Sequence, residues 1–229
     1  MVSLKSSLLS FAAVGTKLAS AIAIPGPEAA AIPVPDKGIT PHPYYSSSVG
    51  VLGCKIDTNR VAYWPSSVDC DNICVEVTAN GRSVTLLKID TSKAAYDISF
   101  DAWNYLKTGY PAVKGHIEPG GGFPAEYKFV PAENCRHLIK TASGKLPFTA
   151  ANSMNFVTSC TAGRSTWVGN NYELWNILDP VCNHGFNELC TLAPGANQAT
   201  CAHPLGSNDV LEGQEIWNIA YPGGELVDA

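Results

Sequence analysis

Asp90 and Asp97 are the residues of this chain whose type and spacing best suit chemistry. Asp90 ends a run of strand character and Asp97 stands just before a helix start, so both emerge at one end of the same sheet. Two carboxylates so placed can divide the work of a general acid and a general base. Upstream, Tyr63 and Trp64 occupy successive strand positions and therefore point to opposite faces, one into the core and the other toward a groove where a sugar ring could stack. Each carboxylate also has a purely structural reading. Asp97 favours the positive end of a helix dipole, and Asp90 before Thr91-Ser92 forms turns through its side-chain acceptor.

The elements that hold these residues are readable in the stretch from Cys74 to Leu106. Val75 and Val77 alternate with polar residues, as do Val84, Leu86 and Lys88 with their neighbours, which is the two-residue period of a strand. Asn80-Gly81 between the runs suits a tight two-residue turn and joins them as an antiparallel hairpin. The period then changes. Ser99 is a candidate N-cap, Asp101 lies in the first turn, and Phe100, Trp103 and Leu106 fall on one helical face. Lys107 and Gly109 end the helix.

That order of elements resembles the double-psi β-barrel of expansins, barwin and family 45 endoglucanases. The matching residues are Cys74-Val75-Glu76-Val77, Asn80-Gly81, Leu87-Lys88-Ile89-Asp90 and Tyr96-Asp97-Ile98-Ser99, followed by Gly115-His116-Ile117 and by Phe123 through Val130 to Cys135. The resemblance spans residues 49 to 135. It implies a six-stranded double-psi β-barrel with a short helix, and a disulfide between Cys74 and Cys135.

The same resemblance places the endoglucanase acid at Asp97 and the base in a Tyr-Trp-Asp run. Here that run reads Tyr63-Trp64-Pro65, and proline has no proton to exchange. Hydrolysis would need Asp57, Asp69 or Asp90 as a substitute base. Expansins also lack the base and keep the aspartate at the helix start, but their first-strand threonine is replaced by Ala62. A lytic transglycosylase of the rare lipoprotein A type needs one acid only. No Gly-x-Ser-x-Gly elbow, phosphate-binding glycine loop or His-Glu-x-x-His helix occurs, which removes serine hydrolases, nucleotide enzymes and zincins.

With 229 residues and a formal charge of -5, the chain has room for one medium domain or two small ones and no basic field for nucleic acid or an anionic membrane. Lys5, the apolar Leu8–Val14 and Ala19-Ser20-Ala21 have the three zones of a secretory signal peptide, over residues 1–21. Residues 22–48 carry Pro25, Pro27, Pro33, Pro35, Pro41 and Pro43 and read as an extended leader or linker, since proline removes amide donors.

Eight cysteines in an exported chain imply four disulfides, with pairings that spacing does not decide. Zinc is the rival reading at Cys70-x3-Cys74 and at Cys182-Asn183-His184 with Cys190, but no second close pair completes a tetrahedral set. His116, His184 and His203 read as loop and surface residues. Residues 136–229, with aromatic runs at 165–168 and 172–179, read as a disulfide-rich C-terminal extension packed on the barrel.

The expected whole is a mainly β, secreted monomer without metal or cofactor, extracellular or wall-associated. Its expected partner is cell-wall polysaccharide, bound or modified without hydrolysis at Asp97, Asp90, Tyr63 and Trp64. The alternatives are a defence-type, effector or inhibitor protein that uses the barrel to bind a target protein, and a weak endoglucanase.

Overall fold

In the computed structural model, which describes residues 29–35 and 38–229, the chain first forms strands inside the proline-rich stretch. The expected signal peptide, residues 1–21, lies outside the described residues. β1 (Ile32–Pro33) and β2 (Ile39–His42) follow within what was expected to be an unpacked leader. Ile39 is fully buried. The proline spacing that argued for a linker is compatible with a strand here because β2 closes the strand order at one end, where Pro41 has no ladder bond to lose.

The chain continues through β3 (Val61–Trp64), β4 (Cys74–Ala79), β5 (Arg82–Thr91), β6 (Tyr96–Ser99), helix α1 (Phe100–Thr108) and β7 (Glu126–Val130). Among the described residues these strands form one seven-stranded sheet in the order β1-β7-β4-β5-β3-β6-β2. β4 and β5 are the expected antiparallel hairpin, paired from Ala79↔Arg82 to Cys74↔Leu87. Asn80 and Gly81 turn between them with φ of 51° and 72°, left-handed values that asparagine and glycine adopt at little cost. β3 lies parallel to β5 and antiparallel to β6, and β2 is parallel to β6.

Helix α1 ends as expected, with Gly109 at φ 89° and its amide on the Tyr105 carbonyl. It begins differently. The Ser99 hydroxyl makes no cap bond; it donates to the Thr58 carbonyl at 2.7 Å and accepts from the Val61 amide at 2.9 Å. Ser99 therefore secures the approach to β3.

Both faces of the sheet are covered, which explains why β5 is buried continuously from Leu86 to Asp90. Ala62, Trp64, Val77, Leu86 and Ile98 pack with Trp103 and Leu106 of α1 in one core. Val61, Tyr63, Leu87 and Ile89 pack in the other core, against the C-terminal half. That half contains β8 (Leu146–Thr149), α2 (Met154–Thr161), α3 (Trp167–Asn170), β9 (Tyr172–Ile177) and β10 (Gly185–Cys190). β8 and β9 are parallel, so a crossover is required, and α2 and α3 supply it. β10 completes this three-stranded sheet. A last hairpin, β11 (Trp217–Ile219) with β12 (Leu226–Asp228), returns to the first sheet's side of the molecule.

All eight cysteines are paired, as 54–182, 70–160, 74–135 and 190–201. The first two cross between the halves. Phe148, Leu174 and Ile177 of the C-terminal half are buried in the same core as Tyr63 and Leu87, so the extension is part of the core. The protein is mainly β with several sheets; a closed six-stranded barrel is not found among the described residues.

In the C-terminal half the Glu188 carboxyl group is held well below its ordinary range. The Glu188 carboxylate accepts from the His203 amide and the Asn176 side chain, each at 2.8 Å, and meets the His203 ring at 2.8 Å. These bonds push its pKa down to about 2. A group whose folded pKa lies below its ordinary 4.5 stabilises the fold above that pH and loses the contribution as pH falls toward about 2. Glu188→Gln is therefore expected to lower the melting temperature at pH 6, with the gap to the native protein closing between about pH 4.5 and about pH 2. Thermal melts across that range measure it.

Candidate functional site

Register builds the site. Tyr63 on β3 is opposite Asp97 on β6 and, after a shift in the ladder, opposite Asp90 on β5; Asp97 in turn is opposite Thr40 on β2. A transverse row of Asp90, Tyr63, Asp97 and Thr40 thus crosses four adjacent strands. The shared row is a consequence of cross-strand neighbours lying side by side.

Asp97 is partly exposed and accepts a short hydrogen bond from the Thr40 hydroxyl. The hydroxyl beside Asp97 therefore comes from β2. Two residues beyond Thr40, the His42 ring lies 4.0 Å from the Tyr63 ring, tilted by 33°. Burial holds the imidazole below its ordinary pKa against the pull of Asp97 and Asp90, so His42 is neutral near pH 7 and both accepts and donates. Burial likewise pushes the Tyr63 phenol far above its ordinary value, and its hydroxyl reaches the Tyr44 carbonyl at 3.2 Å.

Asp90 has a different role from Asp97. It is buried, and its carboxylate accepts from Ser46 Oγ at 2.5 Å, the Ser48 amide at 3.0 Å and the Thr91 amide at 2.7 Å. The two serine bonds hold the 46–48 loop onto the end of β5, and the third stays within β5. The other substitute bases are similarly engaged. Asp57 accepts from the Asn59 amide, and Asp69 from the amides of Asp71 and Asn72.

Tyr63 and Trp64 do point to opposite faces, but both are sealed. Trp64 is 1% exposed, with Tyr96 and Tyr127 meeting its ring edge-on at 5.1 and 5.2 Å. The expected stacking role for Trp64 is thereby corrected: no sugar ring reaches it, because both strand faces are covered. Tyr63 is 2% exposed and contributes to the wall of a small cavity together with His42, Tyr44, Asn59 and Trp217. The cavity holds about 20 Å³, room for about one water-sized group.

Thr40, His42, Tyr44 and Trp217 escaped the sequence reading. For Thr40 and His42, the signal was the alternation Ile39-Thr40-Pro41-His42 behind Gly38, outweighed by the prolines. For Trp217 no local signal tied the C-terminus to the first half. No group of three or more His, Cys, Asp or Glu side chains among the described residues is arranged to hold a metal ion. No helix among them is long and apolar enough to cross a membrane. Comparison of the chain with known protein families, curated proteins and solved structures returns no match.

Proposed function

We propose that this chain is a secreted protein that binds cell-wall polysaccharide, or loosens it without hydrolysis, at a site centred on Asp97 in a relative of the expansin and barwin barrels. The observation that carries the reading is the unequal treatment of the two carboxylates. Asp97 keeps surface access beside Thr40, while Asp90 is saturated by three donors. One accessible acid without a free base suits glycan hydrogen bonding better than acid–base hydrolysis, which needs both groups.

Two further features support it. Four disulfides are typical of extracellular proteins. The amides and carbonyls of Ile39 and Phe123 bond each other at 2.9 and 3.2 Å, drawing the β2 edge toward the segment that leads into β7, as barrel closure would require.

The test is sedimentation with insoluble cellulose, chitin and β-glucan. The native protein is expected in the pellet with at least one of them, with no reducing sugar released. Asp97→Asn retains a hydrogen-bonding side chain but loses the charge, and its affinity is expected to fall about tenfold, the loss of one charge-assisted bond. A native protein that stays in the supernatant with every glycan refutes the reading and leaves a protein-binding role as the alternative.

A further inference from the structure

Tyr44 and Trp217 are the outward neighbours of two buried, mutually bonded residues. Tyr45 is 5% exposed and its amide donates to the side-chain carbonyl of Asn218 at 2.8 Å; Asn218 is itself 5% exposed. The Tyr45 hydroxyl is fixed on the Val51 carbonyl at 2.6 Å, and Ile216 on the other side of Trp217 is 4% exposed. Backbone alternation then leaves Tyr44 at 57% and Trp217 at 55% exposure, and both line the mouth of the cavity shared with His42 and Tyr63. A further aromatic, Tyr221, 44% exposed, meets Phe100 edge-on at 5.4 Å on the same hairpin.

Two large aromatic side chains thus keep more than half of their surface in water beside rigid neighbours. Exposed apolar surface rimmed by polar groups is the mark of a binding surface. The polar rim here comprises neutral His42, Asn59 and Thr58.

We propose that the β11–β12 hairpin completes the glycan site: Trp217 and Tyr44 form a platform on which the apolar face of a neutral, β-linked pyranose chain stacks, with Asp97 and Thr40 bonding its hydroxyls. This rests on the polysaccharide reading and adds to it the ligand class and the role of the C-terminal segment. Pyranoses with equatorial substituents present a flat face of C–H groups, which pairs with an aromatic ring, and hydroxyls at the edge, which suit His42 and Asp97. The cavity admits only about one hydroxyl-sized group, so the chain lies along the surface. The chain's charge of -5 and the carboxylate of Asp97 disfavour a polyuronate.

Tryptophan fluorescence titrations with cellohexaose, chitohexaose, laminarihexaose and polygalacturonate test it, on the native protein and on Trp217→Ala, Trp217→Phe, Tyr44→Ala and Asp97→Asn. Sedimentation with the insoluble glycans serves the variant that lacks the tryptophan signal. Trp217→Ala is expected to weaken binding about tenfold and Trp217→Phe by no more than about threefold. Tyr44→Ala is expected to weaken it in the same direction.

If Trp217→Ala binds within about twofold of native while Asp97→Asn is impaired, the platform is refuted and the Asp97-centred reading stands. If the native protein binds no neutral glycan, both fall. Tighter binding of polygalacturonate than of any neutral probe overturns the proposed ligand class.

Discussion

Replacing Cys54 and Cys182 with serine is expected to lower the free energy of unfolding by about 4 kcal/mol. The two residues are 128 positions apart, and because the 70–160 bridge remains in the variant and shortens the path between them, the 54–182 bridge closes an effective loop of about 40 residues in the unfolded chain. In the loop-entropy account the stabilisation grows with the logarithm of loop length. The 11-residue separation of Cys190 and Cys201 then corresponds to about 3 kcal/mol.

The structure gives the long bridge a matching role in the folded state. Cys54 precedes β3, Cys182 follows β9, and the Gly53 amide also bonds the Pro180 carbonyl at 2.9 Å. The bridge therefore pins the seven-stranded sheet to the three-stranded one across the core that contains Tyr63 and Phe148. Since a domain is commonly stable by about 5–15 kcal/mol, this double variant approaches the limit of folding. Urea midpoints of the two double-serine variants under non-reducing conditions check the order. A larger loss from the 190–201 pair than from the 54–182 pair refutes the loop-length account for this chain.

The parts of this architecture legible in the sequence are those fixed by neighbouring residues. The Asn80-Gly81 hairpin, the span of α1 and the strand at Tyr127–Phe129 each depend on local period or turn chemistry, and each stands where expected. The 74–135 bridge, implied by the resemblance to the barrel families, is present. What escaped depends on long-range pairing. β2 is a strand because β6 offers it a parallel partner and Ile39 a buried slot, and nothing within residues 38–43 announces that partner. The sealing of Trp64 has the same origin: a strand read as one-sided has its second face covered by residues distant in sequence. The site was half visible for this reason, with Asp97 and Tyr63 carried on local elements and Thr40, His42 and Trp217 brought in by tertiary structure.

Asp101→Ala is expected to cost about 3 kcal/mol, the second large effect on stability. From sequence, Asp101 is a first-turn acid that favours the helix dipole, an effect of about 0.3–1 kcal/mol. In the structure it is 6% exposed and joins three segments. One oxygen meets Arg60 Nη1 at 2.7 Å, just before β3, and the other accepts from the Ala112 amide at 2.7 Å, in the loop after α1. Alanine would leave a buried amide without an acceptor and a guanidinium only about a quarter exposed, at 26%, without its counter-charge. Both losses exceed the dipole effect, because an unsatisfied buried group costs its full desolvation. Asp101→Asn separates the terms: its carbonyl can still accept from Ala112 while the ion pair is gone, so it is expected to lose about half as much. Chemical denaturation of both variants measures the order, alanine below asparagine below native. Equal stability of all three would show that the Arg60–Asp101–Ala112 junction, on which the wall beside His42 and Tyr63 is built, contributes nothing to holding that wall in place.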